Sequence, residues 1–309
     1  MANLRDIRNR IDSIENTKQV TRAMKMVAAA KLRKAQERIF NTRPYAYKIR
    51  DIIDHLQSEL DPTAHPFFAA RESVEGALVV VITADRGLAG AFNANAIKTA
   101  ETLIANEYAE QKRNGGLYVL CVGRKGHEHF AARDYQLVGD YRNVFDGLSV
   151  DLARRIIDDA VEGYERGLWD EVQMVYNEFK NTISQNLIAE PLLPIPEERF
   201  QTPVMAEEAE TVDVHESTNG TGVDYIFEPR PETILEALVP RFLEYQVWRA
   251  LLESNASEQG ARMIAMDNAT SNAEELIEEL TLKYNRARQD AITMEILDIT
   301  SGAEALENA

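Results

Sequence analysis

From Met1 to Arg43 the chain contains neither Gly nor Pro, and from Arg241 to Ser301 it contains one Gly, Gly260, and no Pro. Stretches this long without a breaker read as helices of roughly 60 and 90 Å. Both far exceed the globular mean of about 11 residues, so neither is explained by a compact core around it. A four-helix bundle would need four such elements, and the sequence supplies two, at opposite ends. Antiparallel pairing of the two ends, with everything else inserted between them, is the economical arrangement.

The apolar spacing supports a pair. Leu4, Ile7, Ile11 and Ile14 recur in steps of 3 and 4, the repeat of a coiled-coil seam. The stripe is then read as drifting to Val20, Met24 and Val27 and on to Leu32, Ala35 and Ile39. The C-terminal seam runs through Met263, Met266, Thr270, Ala273, Ile277, Leu280, Tyr284, Ala287, Ala291 and Met294. Its small residues allow close approach. Pro44 predicts a bend at 43–45 with helix resuming to residue 60.

Residues 76–196 have another texture. The runs Ala77–Thr83 and Leu117–Val122 and the stretch Glu171–Tyr176 read as strands; 94–113, 124–133 and 151–166 read as helices, and Gln185–Leu193 as an edge strand. Alternating strand and helix predicts a parallel, helix-covered sheet. Residues 197–224 are acidic and poor in bulky apolar groups, which predicts a mobile surface segment or short hairpin. The remaining part, 225–309, holds the C-terminal helix and the segment leading into it.

Candidate chemistry is sparse. The loop Thr83–Asn93 follows the first strand, where such sheets bind phosphates, but it carries only Gly87 and Gly90 where a dinucleotide fingerprint needs three glycines. The GRKG of Gly123–Gly126 is too short for a phosphate loop. Asp85 and Arg86 read as an ordinary turn with a salt-bridged pair. Cys121, the one cysteine, lies in an apolar run and reads as a buried thiol. His127 and His129 point in different directions on a helix, so no metal site is expected. No catalytic, cofactor-binding or metal-binding residue is assigned.

Net charge is −17, yet the first 50 residues hold 13 Lys or Arg against 4 Asp or Glu. A basic helix on an acidic body fits nucleic acid, a membrane surface or an acidic protein partner. Lys18, Arg22, Lys25, Lys31, Arg33, Lys34 and Arg38 could grip phosphates, but no aromatic residues interleave before Phe40 and no recognition motif appears, so acidic protein loops fit at least as well. No run of 18 apolar residues occurs, so no spanning helix is expected. The N-terminus is charged from residue 5 and has no signal-peptide core, so the chain is expected to stay where it is made. At the far end Ile292, Ile296 and Ile299 face one way and Met294 and Leu297 nearly the opposite, and the C-terminal helix outruns the other by roughly 20 residues, or about 30 Å. Such an overhang needs a sleeve from other chains.

Three blocks resemble the γ subunit of the F-type ATP synthase: Ile7–Gln36 (IRNRIDSIENTKQVTRAMKMVAAAKLRKAQ), Val81–Asn93 (VITADRGLAGAFN), and Ala256–Thr270 (ASEQGARMIAMDNAT) continuing to Ala305. The end matches the family's C-terminal signature at Ile292, Thr293, Glu295, Asp298, Gly302 and Ala303. The resemblance implies an α/β protein in which a long antiparallel coiled coil of the terminal helices carries an inserted, Rossmann-like parallel-sheet domain. It implies a non-catalytic rotor without cofactor, standing in a ring of three α and three β subunits and meeting ε and the c-subunit ring below. Proton-driven rotation of that ring would cycle the β sites. Met24 and Lys25 resemble contacts to acidic β loops, Glu258 and Arg262 a mid-shaft catch, Gln289, Thr293 and Glu295 contacts of the upper sleeve, and Tyr225 and Glu228 the foot on ε and the c ring. The implied location is peripheral, on the cytoplasmic face of a bacterial cell membrane. Gly260 departs from the family's usual Ala, Pro240 predicts a kink, and the plastid cysteine pair is missing. The rival readings are an α/β nucleotide-binding enzyme with a coiled-coil dimerisation arm and a nucleic-acid-binding coiled coil.

Overall fold

A computed structural model describes residues 4–59, 65–69, 71, 73–196, 200–207 and 230–307. In chain order these form α1 (Leu4–Glu59), β1 (Ala77–Ile82), α2 (Phe92–Glu107), α3 (Ala109–Asn114), β2 (Leu117–Val122), α4 (Arg124–Ala131), β3 (Gln136–Leu137), α5 (Val150–Glu165), β4 (Glu171–Phe179), β5 (Gln185–Leu193) and α6 (Pro231–Glu307). The chain divides into two compact units: Met1–Ala28 with Met263–Ala309, and Ala29–Arg262.

The larger unit is built on a five-stranded sheet of order β3-β2-β1-β4-β5. Four strands are parallel, and β5 joins antiparallel at the edge. The central run ALVVVI is buried on both faces. Leu78, Val80 and Ile82 meet Ile49, Ile53 and Leu56 of α1, α5, and Leu235–Leu251 of α6; Val79 and Val81 meet α2 and Phe130 of α4. A strand covered on both sides reads as a continuous apolar run, which is why β1 was visible in the sequence.

Two carboxylates close the ends of β1. Before it, Asp170 accepts the N–H groups of Glu75 (2.7 Å) and Gly76 (2.9 Å) on one oxygen and Arg71 Nη1 (2.6 Å) on the other. Beyond it, Asp85 does the same for the N–H groups of Arg124, Asn143 and Phe145. At the Asp170 end Gly76 is required, since a Cβ would stand 2.2 Å from the Leu168 carbonyl oxygen.

The expected single helix over 94–113 is two. Tyr108 leaves helical geometry (φ −118°, ψ 25°), buries its ring in the core under α2 and donates from its hydroxyl to Glu171 (2.8 Å). Packing of one aromatic ring thus overrides a helix-compatible sequence. β4 extends three residues further than expected, and β3 and a 3₁₀ turn at Phe145–Gly147 had no periodic signal. Ser149 caps α5, accepting from Leu152 N.

α1 passes Pro44 without ending, and α6 begins with Pro at its first position and continues through Pro240. Within the acidic segment, residues 200–207 lie against β4: Thr202 is buried, Glu178 accepts from Val204 N (3.3 Å), and Lys180 pairs with Glu207. The rest of that segment lies outside the described residues. Among the described residues no helix is long and apolar enough to cross a membrane.

The smaller unit is an antiparallel helix pair. Lys18 meets Glu274 (3.0 Å), Thr21 meets Thr270 (2.8 Å) and Lys25 meets Asp267 (2.5 Å), so numbers fall on α6 as they rise on α1. Here the structure corrects the sequence reading. The α1 seam does not drift through Val20 and Val27, each 57 % exposed. The inward face instead continues its 3 and 4 steps through Lys18, Thr21, Lys25 and the buried Ala28, with Met24 beside it half-buried. Polar and small residues occupy the seam because charged partners and close approach replace apolar bulk there.

Candidate functional site

The loop between β1 and α2 sits at the carboxyl end of the parallel strands, the place where doubly wound sheets hold anions. In this chain a carboxylate of its own fills the position. Asp85 Oδ1 accepts from Arg124 N (2.9 Å), at the start of α4, and from Asn143 N (2.7 Å); Oδ2 accepts from Phe145 N (3.0 Å). Donors that would otherwise face a phosphate are satisfied from within. Gly123 and Gly126 serve the same packing. A Cβ on Gly123 would lie 2.0 Å from the Thr83 carbonyl oxygen, and Gly126 N donates to Thr83 Oγ1 (2.8 Å). Asp85 and Arg86 are therefore not a mutual pair: Arg86 reaches outward to Asp146 (3.1 Å), which also receives Lys31 (3.2 Å).

The tip of this loop is held open. Leu88 adopts a left-handed backbone (φ 62°) and is 68 % exposed. A left-handed leucine costs roughly 1–2 kcal/mol and persists only when its surroundings enforce it. Arg262 Nη1 donates to the Gly87 carbonyl (2.6 Å), while its Nη2 pairs with Glu258 (2.5 Å). Asn93 ties the other side, accepting from Ala84 N (2.8 Å) and donating to the Arg86 carbonyl (3.3 Å). Burial pushes the Glu258 carboxyl above its ordinary range against the pull of Arg262. Glu258 and Arg262 thus meet each other, and Arg262 alone reaches the loop.

On the helix pair, Met24 and Lys25 are half-buried and Lys25 is engaged by Asp267. Val20, Met26 and Val27 stand exposed around them. On α6, Ile277, Leu280, Tyr284 and Ala287 are half-buried, whereas every residue from Arg288 to Ala303 is exposed. Ile292, Met294, Ile296, Leu297 and Ile299 are 47 to 66 % exposed. Among them lie Gln289, Thr293 and Glu295, with the Thr293 hydroxyl turned back onto the Gln289 carbonyl (2.9 Å). Tyr225 and Glu228 lie outside the described residues.

Among the described residues no group of three or more His, Cys, Asp or Glu could hold a metal. Cys121 is buried and its thiol is pushed up to about 12 by loss of solvent. A buried polar cluster has no motif in the sequence: Arg249 of α6 reaches Glu190 of β5 (2.5 Å) and the Tyr176 hydroxyl of β4 (3.0 Å). Burial works against the guanidinium charge, but Glu190 and its neighbours outweigh it and hold the group protonated. The signal was a charge amid the apolar residues Val247, Trp248, Ala250, Leu251 and Leu252.

Comparison with known proteins gives one consistent result. A family model described as ATP synthase matches residues 3–306. The ATP synthase gamma chain of Salinibacter ruber is 72% identical over 309 residues, covering 100% of both chains. That of Chloroherpeton thalassium is 48% identical with the same coverage. Among solved structures, a chain from the Tetrahymena thermophila mitochondrial ATP synthase central stalk and c-ring is similar at 25% identity and TM-score 0.54, covering 81% of this chain and 99% of that one. A chain of the Euglena gracilis mitochondrial ATP synthase rotor shares the fold at 22% identity and TM-score 0.64, over 94% of this chain and 98% of that one.

Proposed function

The chain belongs to the ATP synthase gamma chains, non-catalytic central-stalk subunits of that enzyme, and we propose that its helix pair turns as a shaft inside a ring of three α and three β subunits. It works with other ATP synthase subunits, and the proposal assigns which surfaces meet them. The observation that supports the reading is the bare tip of α6. Once α1 has run out, five large apolar residues between Ile292 and Ile299 remain exposed on more than one side of a single helix, a surface that water does not tolerate without a partner. A hydrophobic sleeve formed by the ring answers that need, and it must grip weakly enough to let the tip turn.

Gln289, Thr293 and Glu295 are the polar contacts of that sleeve in this proposal. Met24, with Lys25 and the exposed basic residues around it, meets acidic loops of the β subunits in turn; such contacts exchange readily because exposed ion pairs are each worth little. Glu258 and Arg262 act at mid-shaft, Glu258 by fixing Arg262 and Arg262 by holding the loop that presents Leu88 to the ring. Tyr225 and Glu228 are assigned to the foot on ε and the c ring. Proton-driven rotation of the c ring then drives the β sites through successive states, with the subunit peripheral on the cytoplasmic face of a bacterial membrane.

Reconstitution with α and β subunits tests this. ATP hydrolysis by the ring is expected to require the chain and to fall when residues 285–309 are removed. If hydrolysis neither needs the chain nor changes on truncation, the proposal fails. Stoichiometric nucleotide binding and turnover by the isolated chain would favour the enzyme reading instead, which the Asp85 carboxylate in the anion position opposes.

A further inference from the structure

β4 outlasts its neighbour. The β1–β4 register ends at Val81 and Val175, yet β4 continues to Phe179, so beyond Val175 its backbone on that side has no strand to bond. A helix takes the strand's place. Phe179 N donates to Glu253 (2.9 Å), Asn177 N donates to Ser254 Oγ (3.2 Å), and Ser257 Oγ donates to the Asn177 carbonyl (3.2 Å). Gln185 Nε2, at the start of β5, donates to the Ser257 carbonyl (2.8 Å). One helical turn earlier, Arg249 grips Glu190 and Tyr176.

Arg249, Glu253, Ser254 and Ser257 fall at i, i+4, i+5 and i+8, one stripe of α6, and all are at most 5 % exposed. Burying this much polar material is unusual where apolar packing would stabilise at least as well. The two kinds of contact resist different displacements. Apolar burial is non-directional and opposes separation, whereas hydrogen bonds weaken steeply once misaligned and so oppose turning of the helix about its own axis.

We infer that Arg249, Glu253, Ser254 and Ser257 are the joint through which turning force passes between the sheet and α6, and that they are positioning residues for coupling and not for ATP chemistry. This rests on the central-stalk reading. Force applied to the sheet by subunits below reaches the helix as rotation only if the helix cannot spin in its seat. The Asn181–Ser184 turn beside the joint offers a way to bypass it, because a side-chain carbon on Gly260 would lie 3.8 Å from Thr182 Cα.

The test uses the complete ATP synthase containing this chain, reconstituted in vesicles, with ATP hydrolysis and ATP-driven ion uptake measured on the same preparation. Ser254→Ala with Ser257→Ala is expected to leave hydrolysis within about twofold while ion uptake per ATP falls about threefold or more, the range of a coupling change of this kind. Oxidising a Thr182→Cys, Gly260→Cys pair in that background is expected to restore uptake. Ser257→Ala alone, which removes one bond and little packing, should show a smaller loss of the same sign and serves if the double variant does not assemble. Uptake per ATP equal to that of the unaltered chain, or a loss that the crosslink does not reverse, would overturn the joint. If the unaltered chain supports neither hydrolysis nor uptake, the central-stalk reading fails instead.

Discussion

Thr21 and Thr270 face each other across the antiparallel helix pair with their hydroxyl oxygens 2.8 Å apart. Each also reaches a carbonyl of its own helix, Lys18 for the first and Met266 for the second, so one hydroxyl donates across while the other donates back. A polar contact at a seam position fixes register at some cost in stability. Replacing both threonines by valine should therefore leave stability unchanged or raise it, whereas single replacements should not add: a coupling of roughly 0.5–1 kcal/mol is expected. A thermal double-mutant cycle measures it, and strict additivity would show that the pair is incidental.

Asp85 carries more. Asp85→Asn keeps the shape but turns an amide N–H₂ toward at least one of the backbone donors, and a cost of roughly 1–3 kcal/mol follows from stranding a buried N–H group. Urea unfolding gives the value. In Asp85→Ala the vacated position should bind phosphate, so that millimolar phosphate raises the melting temperature of the variant and not of the parent. No phosphate effect on the variant would mean that the loop does not keep an anion-binding shape.

For Asp170, burial raises the carboxyl pKa, but the Gly76 N–H, Arg71 and the Glu75 N–H outweigh it, and the group sits below its ordinary 3.8. A depressed folded pKa contributes stability that is complete above the unfolded value and is lost as pH falls through the folded one. The stability gap between the parent and Asp170→Asn should accordingly be constant from neutral pH down to about 5 and shrink below about 4. A gap that widens on acidification would reverse the sign assigned here.

Gly260 stands where a Cβ would come 3.3 Å from the Thr182 carbonyl oxygen. Gly260→Ala gains up to about 1 kcal/mol of helix propensity and needs the Asn181–Ser184 turn to yield by a few tenths of an ångström. That turn is at the surface, with Ile183 84 % exposed, so a net change between zero and about 1 kcal/mol of stabilisation is expected. Calorimetry showing a loss above that size would mean the turn is rigid.

Legibility followed chemistry. β1 and β2 were readable because strands covered on both faces must be apolar throughout, and the α6 seam was readable as far as Ala287 because its steps are regular. The α1 seam was misread between residues 18 and 28 because Lys18, Thr21 and Lys25 occupy positions where an apolar pattern is sought, and Val20 and Val27, which face outward, imitate one. Tyr108 broke a helix through tertiary packing that local sequence does not contain. At the loop, the missing third glycine was visible, but its counterpart was not: the carboxylate of Asp85 gathers N–H groups from Arg124, Asn143 and Phe145, far along the chain. Arg249 was noticeable only as a charge out of place, since its partners Tyr176 and Glu190 come from distant strands.

The separation of Thr21 and Thr270 by 249 residues also sets an order of events during synthesis. At roughly 5–20 residues per second, the first helix leaves the ribosome roughly 10–50 s before its partner exists. For that interval its seam is open to solvent or to a chaperone, and the intervening sheet has time to fold first. The shaft is the last part of the chain to close.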